Sequence, residues 1–216
     1  MKHLAAFFLA SWPAASLACD APVCLVDPNS LILTQVITFD DVGSGAGPGL
    51  YVDDVLSLPG ARFGERFAGQ TVTNSGHHDE IAGDAMSPLT MVPGASGQNL
   101  SLVHFYGNTV LNGYGSAGFP KREAQGEGAI AVLFDTDQSA LAFDLRGGEA
   151  GTAYVRFYRR DGTLIGQVPV QPAGEYAVGF LRATGQADIA GFIMTNSDPQ
   201  GLAMDTLRFG KPPDLS

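Results

Sequence analysis

From Gly128 to Phe209 apolar and polar residues alternate in short runs, and turn residues separate the runs. The runs are GAIAVLFD (Gly128–Asp135), SALAFDLRG (Ser139–Gly147), TAYVRFYRRDGTLIGQVPV (Thr152–Val170) and DIAGFIMTNSDPQGLAMDTLRFG (Asp188–Gly210). Successive side chains leave a strand on opposite sides, so this alternation predicts antiparallel strands with one buried and one wet face. Asp161-Gly162, between YVRFYRR and TLIGQV, is the clearest hairpin signal, and Ala173-Gly174 marks a second turn before EYAVGFL.

Upstream the pattern weakens. Leu31–Asp41 (LILTQVITFDD) predicts the first strand, and the glycine-rich stretch Gly43–Gly49 predicts a loop. Leu50–Leu58 reads as a weak strand. Residues 59–99 read as long loops with a short strand near Gln70–Thr73, Leu100–Tyr106 as a strand, and Gly107–Glu127 as loop-rich. No helix-period run exceeds a turn or two, and neither a tandem repeat nor a linker divides the chain. The expectation is all-β: one antiparallel two-sheet β-sandwich over residues 35–210, after an approach segment at 19–34 and before a tail at 211–216.

The first eighteen residues carry a different pattern. A short polar start (Lys2, His3), an apolar run from Leu4 to Ala10 and the small residues of Ser16-Leu17-Ala18 predict a secretory signal peptide, too short for a membrane span. The chain is then expected to begin at Cys19. Cys19 could also take a lipid anchor, although Leu17 and Ser16 stand in the reverse of the usual order for that signal. In an oxidising compartment Cys19 and Cys24 are expected to form a small disulfide. No later apolar run is long enough to span a bilayer.

Composition narrows the partners. The formal net charge is −10, and loss of Lys2 with the leader takes it to −11. An acidic, lysine-poor surface argues against nucleic acid and anionic lipid, both of which need clustered Lys and Arg. Glycine is 28 of 216 residues while 45% of the chain is hydrophobic. That combination fits a many-turned β protein rather than a disordered one.

The order of ITFDD, GEGAIAVLFDTDQSALAFDLRG, FYRRDGTLIG and IAGFIMTNSDPQGLAMDTLRFG resembles exported bacterial β-sandwiches of the galactose-binding-like, carbohydrate-binding-module-like jelly-roll family. The resemblance covers roughly residues 36–42 and 126–210, and Gly43–Gln125 departs from it. It implies that the first and last strands lie together and hold a structural calcium, with Asp40 or Asp41 and Asp205 as ligands. Calcium takes six to eight hard oxygens, which carboxylates and loop carbonyls supply. The other reading of these aspartates is local turn capping.

Three constellations bear on chemistry. His77-His78-Asp79-Glu80, with Asp84 nearby, has metal-ligand residue types, but no HExxH or comparable spacing accompanies it, so a solvated polar loop is the expectation. No GxSxG elbow is present, and Glu123 and Glu127 are the only paired acids suggestive of glycoside chemistry. Tyr106, Asn108, Asn112, Tyr114 and Phe119 mix rings and amides as sugar sites do, because sugar C–H faces stack on rings while hydroxyls need directed partners. These aromatics could equally pack the end of the sandwich, and the sole tryptophan, Trp12, falls in the leader. Tyr154, Phe157 and Tyr158 read as core and cross-strand residues. The expected function is a secreted, non-catalytic module binding extracellular carbohydrate. The alternative is a structural or adhesive surface protein with protein or matrix contacts. A secreted glycan-active enzyme stands third.

Overall fold

A computed structural model describes residues 19–211, so the signal peptide expected at 1–18 and all of the chain beyond Lys211 lie outside the described residues. Eighteen strands follow in chain order. The first nine are β1 (Val23–Val26), β2 (Gln35–Ile37), β3 (Leu50–Val52), β4 (Leu56–Leu58), β5 (Ala61–Gly64), β6 (Arg66–Phe67), β7 (Thr71–Ser75), β8 (His78–Ala82) and β9 (Met91–Val92). The others are β10 (Leu100–Phe105), β11 (Asn108–Gly113), β12 (Ile130–Gln138), β13 (Ala140–Gly147), β14 (Ala153–Tyr158), β15 (Leu164–Val170), β16 (Ala177–Arg182), β17 (Ile189–Asn196) and β18 (Leu202–Phe209). Helical structure among the described residues is limited to two short 3-10 turns, Pro28–Ser30 and Arg122–Ala124.

Two antiparallel sheets face each other. One runs β1-β16-β13-β18-β11-β10-β3, with β2 added beside β18; the other runs β15-β14-β17-β12-β5-β4. From β12 onward the chain switches repeatedly between sheets, which is how a jelly-roll sandwich closes over one core. Alternating side chains supply that core. Phe143 of β13 stacks on Phe192 of β17 across the sandwich, centroids 5.4 Å apart, and Phe180 lies 5.5 Å from Phe143. Burial of such rings dominates the stabilisation, since each removes a large apolar area from water.

The first predicted strand shortens to Gln35–Ile37 but pairs with the last strand through Ile37 and Leu207, Val36 and Arg208, Gln35 and Phe209. It stops because Phe39 adopts a left-handed φ of 64°. The Asp161-Gly162 turn is as expected: Gly162 (φ 85°) donates its N–H to the Arg159 carbonyl at 3.0 Å. The turn at Ala173-Gly174 carries the chain from one sheet to the other rather than making a hairpin.

Residues 59–99 depart most from expectation. Five short strands occupy them, and β6 with β9 and β7 with β8 form two small ribbons. The ribbons cover part of the outer face of the six-stranded sheet. Phe67, Ile81, Leu89 and Met91 pack there on Ala131, Leu133, Tyr158 and Ile193 in a second core. Strand β12 is therefore buried on both faces: Ile130, Val132 and Phe134 point into the sandwich, Ala131 and Leu133 into the second core. This explains the nearly unbroken apolar run AIAVLF, which the expectation of one wet face does not.

Candidate functional site

The outer face of the eight-stranded sheet brings together Asp205, Asn108 and Asn112 among the residues that the sequence singles out. Its centre is β18, whose neighbour changes from β11 at Ala203–Met204 to β2 at Leu207–Phe209. The change coincides with a register shift against β13 and with Thr206 at φ 44°. Such a bulge re-aims the adjacent side chain. Asp205, 1% exposed, points outward from it. Its Oδ2 accepts from Asn108 Nδ2 at 2.9 Å and from Arg146 Nε and Nη2 at 3.1 and 2.9 Å, while its Oδ1 is buried without a partner. Beside it Arg208 Nη2 donates to Asp144 Oδ1 at 2.6 Å.

Asp40 reaches the same strand end by another route, its Oδ1 accepting the Thr109 N–H at 2.8 Å. Asp40 and Asp205 thus fasten two successive residues of β11, whereas Asp41 is exposed. The three carboxylates do not converge as ligands, and no group of three His, Cys, Asp or Glu among the described residues is arranged to hold a metal. Arg146 takes one Asp205 oxygen, the other is buried without a partner, and neither Asp40 nor Asp41 joins it, so the residues as arranged do not supply the six to eight hard oxygens of the calcium that the resemblance implies. Asp40 and Asp205 instead hydrogen-bond to β11.

The five ligand candidates separate. Tyr106 sits in the β10–β11 turn with Gly107, both at positive φ as a type I′ turn requires, and is 93% exposed. Its ring meets that of the exposed Phe105. Tyr114, at the opposite end of β11, is fully buried, and Phe119 lies between it and Tyr51 with centroids 5.4 and 4.8 Å away. Tyr114 and Phe119 are packing residues; with Tyr106 they form no common platform. Asn108 and Asn112 do come together, on the floor of an open groove of about 440 Å³. Val103, Val110 and Phe105 supply its apolar part, and Arg122 and Arg146 its cations. Asn112 is 5% exposed and its amide nitrogen has no partner.

The chain matches no protein-family model, no curated protein and no solved structure.

A second cleft, of about 410 Å³, opens between the β7–β8 ribbon and the six-stranded sheet. His78, Asp79 and Glu80 line it, in a strand rather than the solvated loop expected from sequence, while His77 stays exposed in the β7–β8 turn. His78, Asp79 and Glu80 lie in β8, where alternation buries Asp79 and Ile81 and leaves Glu80 exposed. His78 Nε2 contacts the Asp198 carbonyl at 2.7 Å, and Asp79 Oδ2 accepts the Ala129 N–H at 3.0 Å. Burial pushes the Asp79 carboxyl up to about 7, the Ala129 hydrogen bond opposes this, and the Glu65 and Glu127 charges add to it. Burial likewise raises Glu127, whose Oε2 lacks a partner. Glu123 stays exposed in its 3-10 turn, from where its charge adds a minor upward push on the buried Glu127.

Among the lining residues, Arg122 lacks any pattern that would mark it as a site residue. Arg146 had one, and so did Tyr154, which reads from sequence as a core or cross-strand residue: Leu145 and Val155 point into the core, so period two sends their neighbours outward. Phe157 and Tyr158 are buried as read, but Tyr154 is 37% exposed and lines the second cleft.

Proposed function

We propose that this protein is an exported, non-catalytic β-sandwich module that binds extracellular carbohydrate in the groove on the outer face of its eight-stranded sheet. One observation carries the reading. The groove floor holds Asn112, an almost fully buried amide with an unpartnered nitrogen, beside the apolar surface of Val103, Val110 and Phe105. A buried donor without an acceptor is costly unless a ligand or water supplies one. Sugar hydroxyls supply such acceptors while the ring's C–H face covers apolar surface. The groove volume of about 440 Å³ falls among small-ligand sites. Export is supported by the apolar opening of the chain and by the disulfide between Cys19 and Cys24.

A glycan array probed with the purified exported chain tests this. Binding to one sugar class that Asn112→Ala weakens about tenfold, worth ~1.4 kcal/mol, is the expected result. Silence across a broad array removes the reading.

The alternative, a surface protein that contacts other proteins or matrix, has one observation in its favour. Phe105 and Tyr106 are 63% and 93% exposed at a hairpin tip, and exposed aromatics are enriched at protein interfaces. Adhesion that Tyr106→Ser abolishes, with an array that remains silent, would select it.

A further inference from the structure

We propose a second carbohydrate site, distinct from the first, in the cleft between the β7–β8 ribbon and strands β14, β15 and β17, with a neutral sugar ring seated on Tyr154. The inference does not depend on the groove of the opposite sheet. It starts from the strand period: Val155 and Phe157 face the sandwich core, so Tyr154 and Arg156 face outward. Tyr158, at the far end of the same stripe, is covered by the second core, whereas Tyr154 lies past its edge and is 37% exposed. The sheet face thus passes from covered to open within one strand, and the ribbon forms the wall.

That wall is fastened at three successive points. His78 Nε2 holds the Asp198 carbonyl at 2.7 Å, the Asp79 N–H donates to the Glu127 carbonyl at 3.0 Å, and Arg156 Nη1 donates to the Ile81 carbonyl at 2.5 Å. Arg156 is held in turn from the floor, its Nε donating to Gln167 Oε1 at 2.8 Å. A cleft whose wall and floor are pinned to each other loses little conformational freedom on binding, which favours affinity.

The groups left over define the ligand. Among the described residues the Tyr154 hydroxyl, the Thr195 hydroxyl and the Glu80 carboxylate make no side-chain hydrogen bond, and all three residues line the cleft. They offer a half-open ring, an amphoteric hydroxyl and a strong acceptor. Of the charged residues lining the cleft, Arg156 is already committed, Asp79 is buried and accepts the Ala129 N–H, and Glu80 is the exposed carboxylate. A neutral hexose meets these requirements: its C–H face covers the ring, and its hydroxyls donate to Glu80 and exchange hydrogen bonds with Thr195. An anionic sugar would face Glu80, and an apolar ligand would leave that carboxylate desolvated and unpaired. The volume of about 410 Å³ suits a small ligand.

The chain holds six tyrosines, so ring-labelled tyrosine NMR reports on the cleft directly, with Tyr154→Phe assigning the signal. D-Glucose, D-galactose and D-mannose are each titrated into the full exported chain. Saturable movement of the Tyr154 resonances with one of these sugars is expected, and it persists in Asn112→Ala. Tyr154→Ala and, independently, Gln167→Ala each weaken that binding about tenfold. Gln167 is exposed on edge strand β15, so its replacement leaves the fold intact. Tyr154 resonances that stay fixed with all three sugars overturn the proposal, as does binding that neither variant changes. Movement lost in Asn112→Ala assigns the sugar to the first groove and likewise overturns it.

Discussion

Asp79 Oδ2 accepts the backbone N–H of Ala129 at 3.0 Å, joining the β7–β8 ribbon to the residue just before β12. The bond places a carboxylate with 3% exposure above the second core, within the influence of Glu65 and Glu127. An amide would make the same bond without the charge.

That substitution yields a pH prediction. Burial raises the Asp79 pKa from 3.8 to about 7 in the folded chain. Between these values the folded state keeps a proton that the unfolded state has released, so stability falls as pH rises from about 4 to about 7 and is level above. Asp79→Asn removes this loss. Its stability exceeds that of the parent above pH 7, by a few kcal/mol at most since Glu65 and Glu127 also titrate upward. Urea midpoints at pH 5 and pH 8 check it; equal pH dependence in the two proteins would place the Asp79 charge in water. Asp188 acts oppositely, because its hydrogen bond to Arg182 holds it low, and its contribution is lost only as acid protonates it.

Strand β12 supplies a second prediction. Ala131 is fully buried in the second core, on the face that simple alternation assigns to solvent. Ala131→Leu inserts three carbons beneath the ribbon and is expected to cost about 1–3 kcal/mol. An unchanged urea midpoint would mean that the ribbon does not pack on β12.

The same strand shows what the sequence made legible. Alternation located the later strands because most of them pair with one another inside the regular block, whereas the pairing of β2 with β18 was implied only by the family resemblance. Of the ribbons only β7 was anticipated, as a short strand near Gln70–Thr73; β6 and β9 are two residues each, too short for any period. His77–Glu80 reads as polar, yet Asp79 is buried; only the alternate Ile81, also buried, hinted at a packed face. The site was partly legible. Asn108 and Asn112 share one face by period two, but nothing local revealed that loop residues would cover Tyr114 while leaving Tyr106 bare.

Thr206 allows a third test. A β-branched residue at φ 44° is strained by roughly 1–2 kcal/mol. Asn tolerates that region, so Thr206→Asn is expected to stabilise the chain by about 0.5–1 kcal/mol. The same change at Thr195, in β17 and outside the left-handed region, is expected to destabilise it. Thermal melts of the two variants moving in the same direction would remove the bulge from the account.

The Asp205–Arg146 pair gives the last. Asp205 is 1% exposed, whereas the Arg146 side chain is 39% exposed and can return to water. Asp205→Ala strips the acceptor from both Arg146 and Asn108 and leaves a cavity beside the bulge, at an expected cost of about 2–3 kcal/mol, below the ~3–5 of a fully buried pair. Arg146→Ala is the harsher change, because it leaves the buried Asp205 charge with only the Asn108 amide as partner. Arg146→Met is therefore expected to destabilise more than Asp205→Asn, although it keeps the stem packing. Since the guanidinium already meets the Asp205 charge, added calcium or chelator is expected to leave the melting temperature of the parent chain unchanged. In Arg146→Met the carboxylate is free to recruit a cation. A calcium-dependent melt in the parent protein would show that the ion displaces Arg146 from Asp205, and would reverse the order of the two variants.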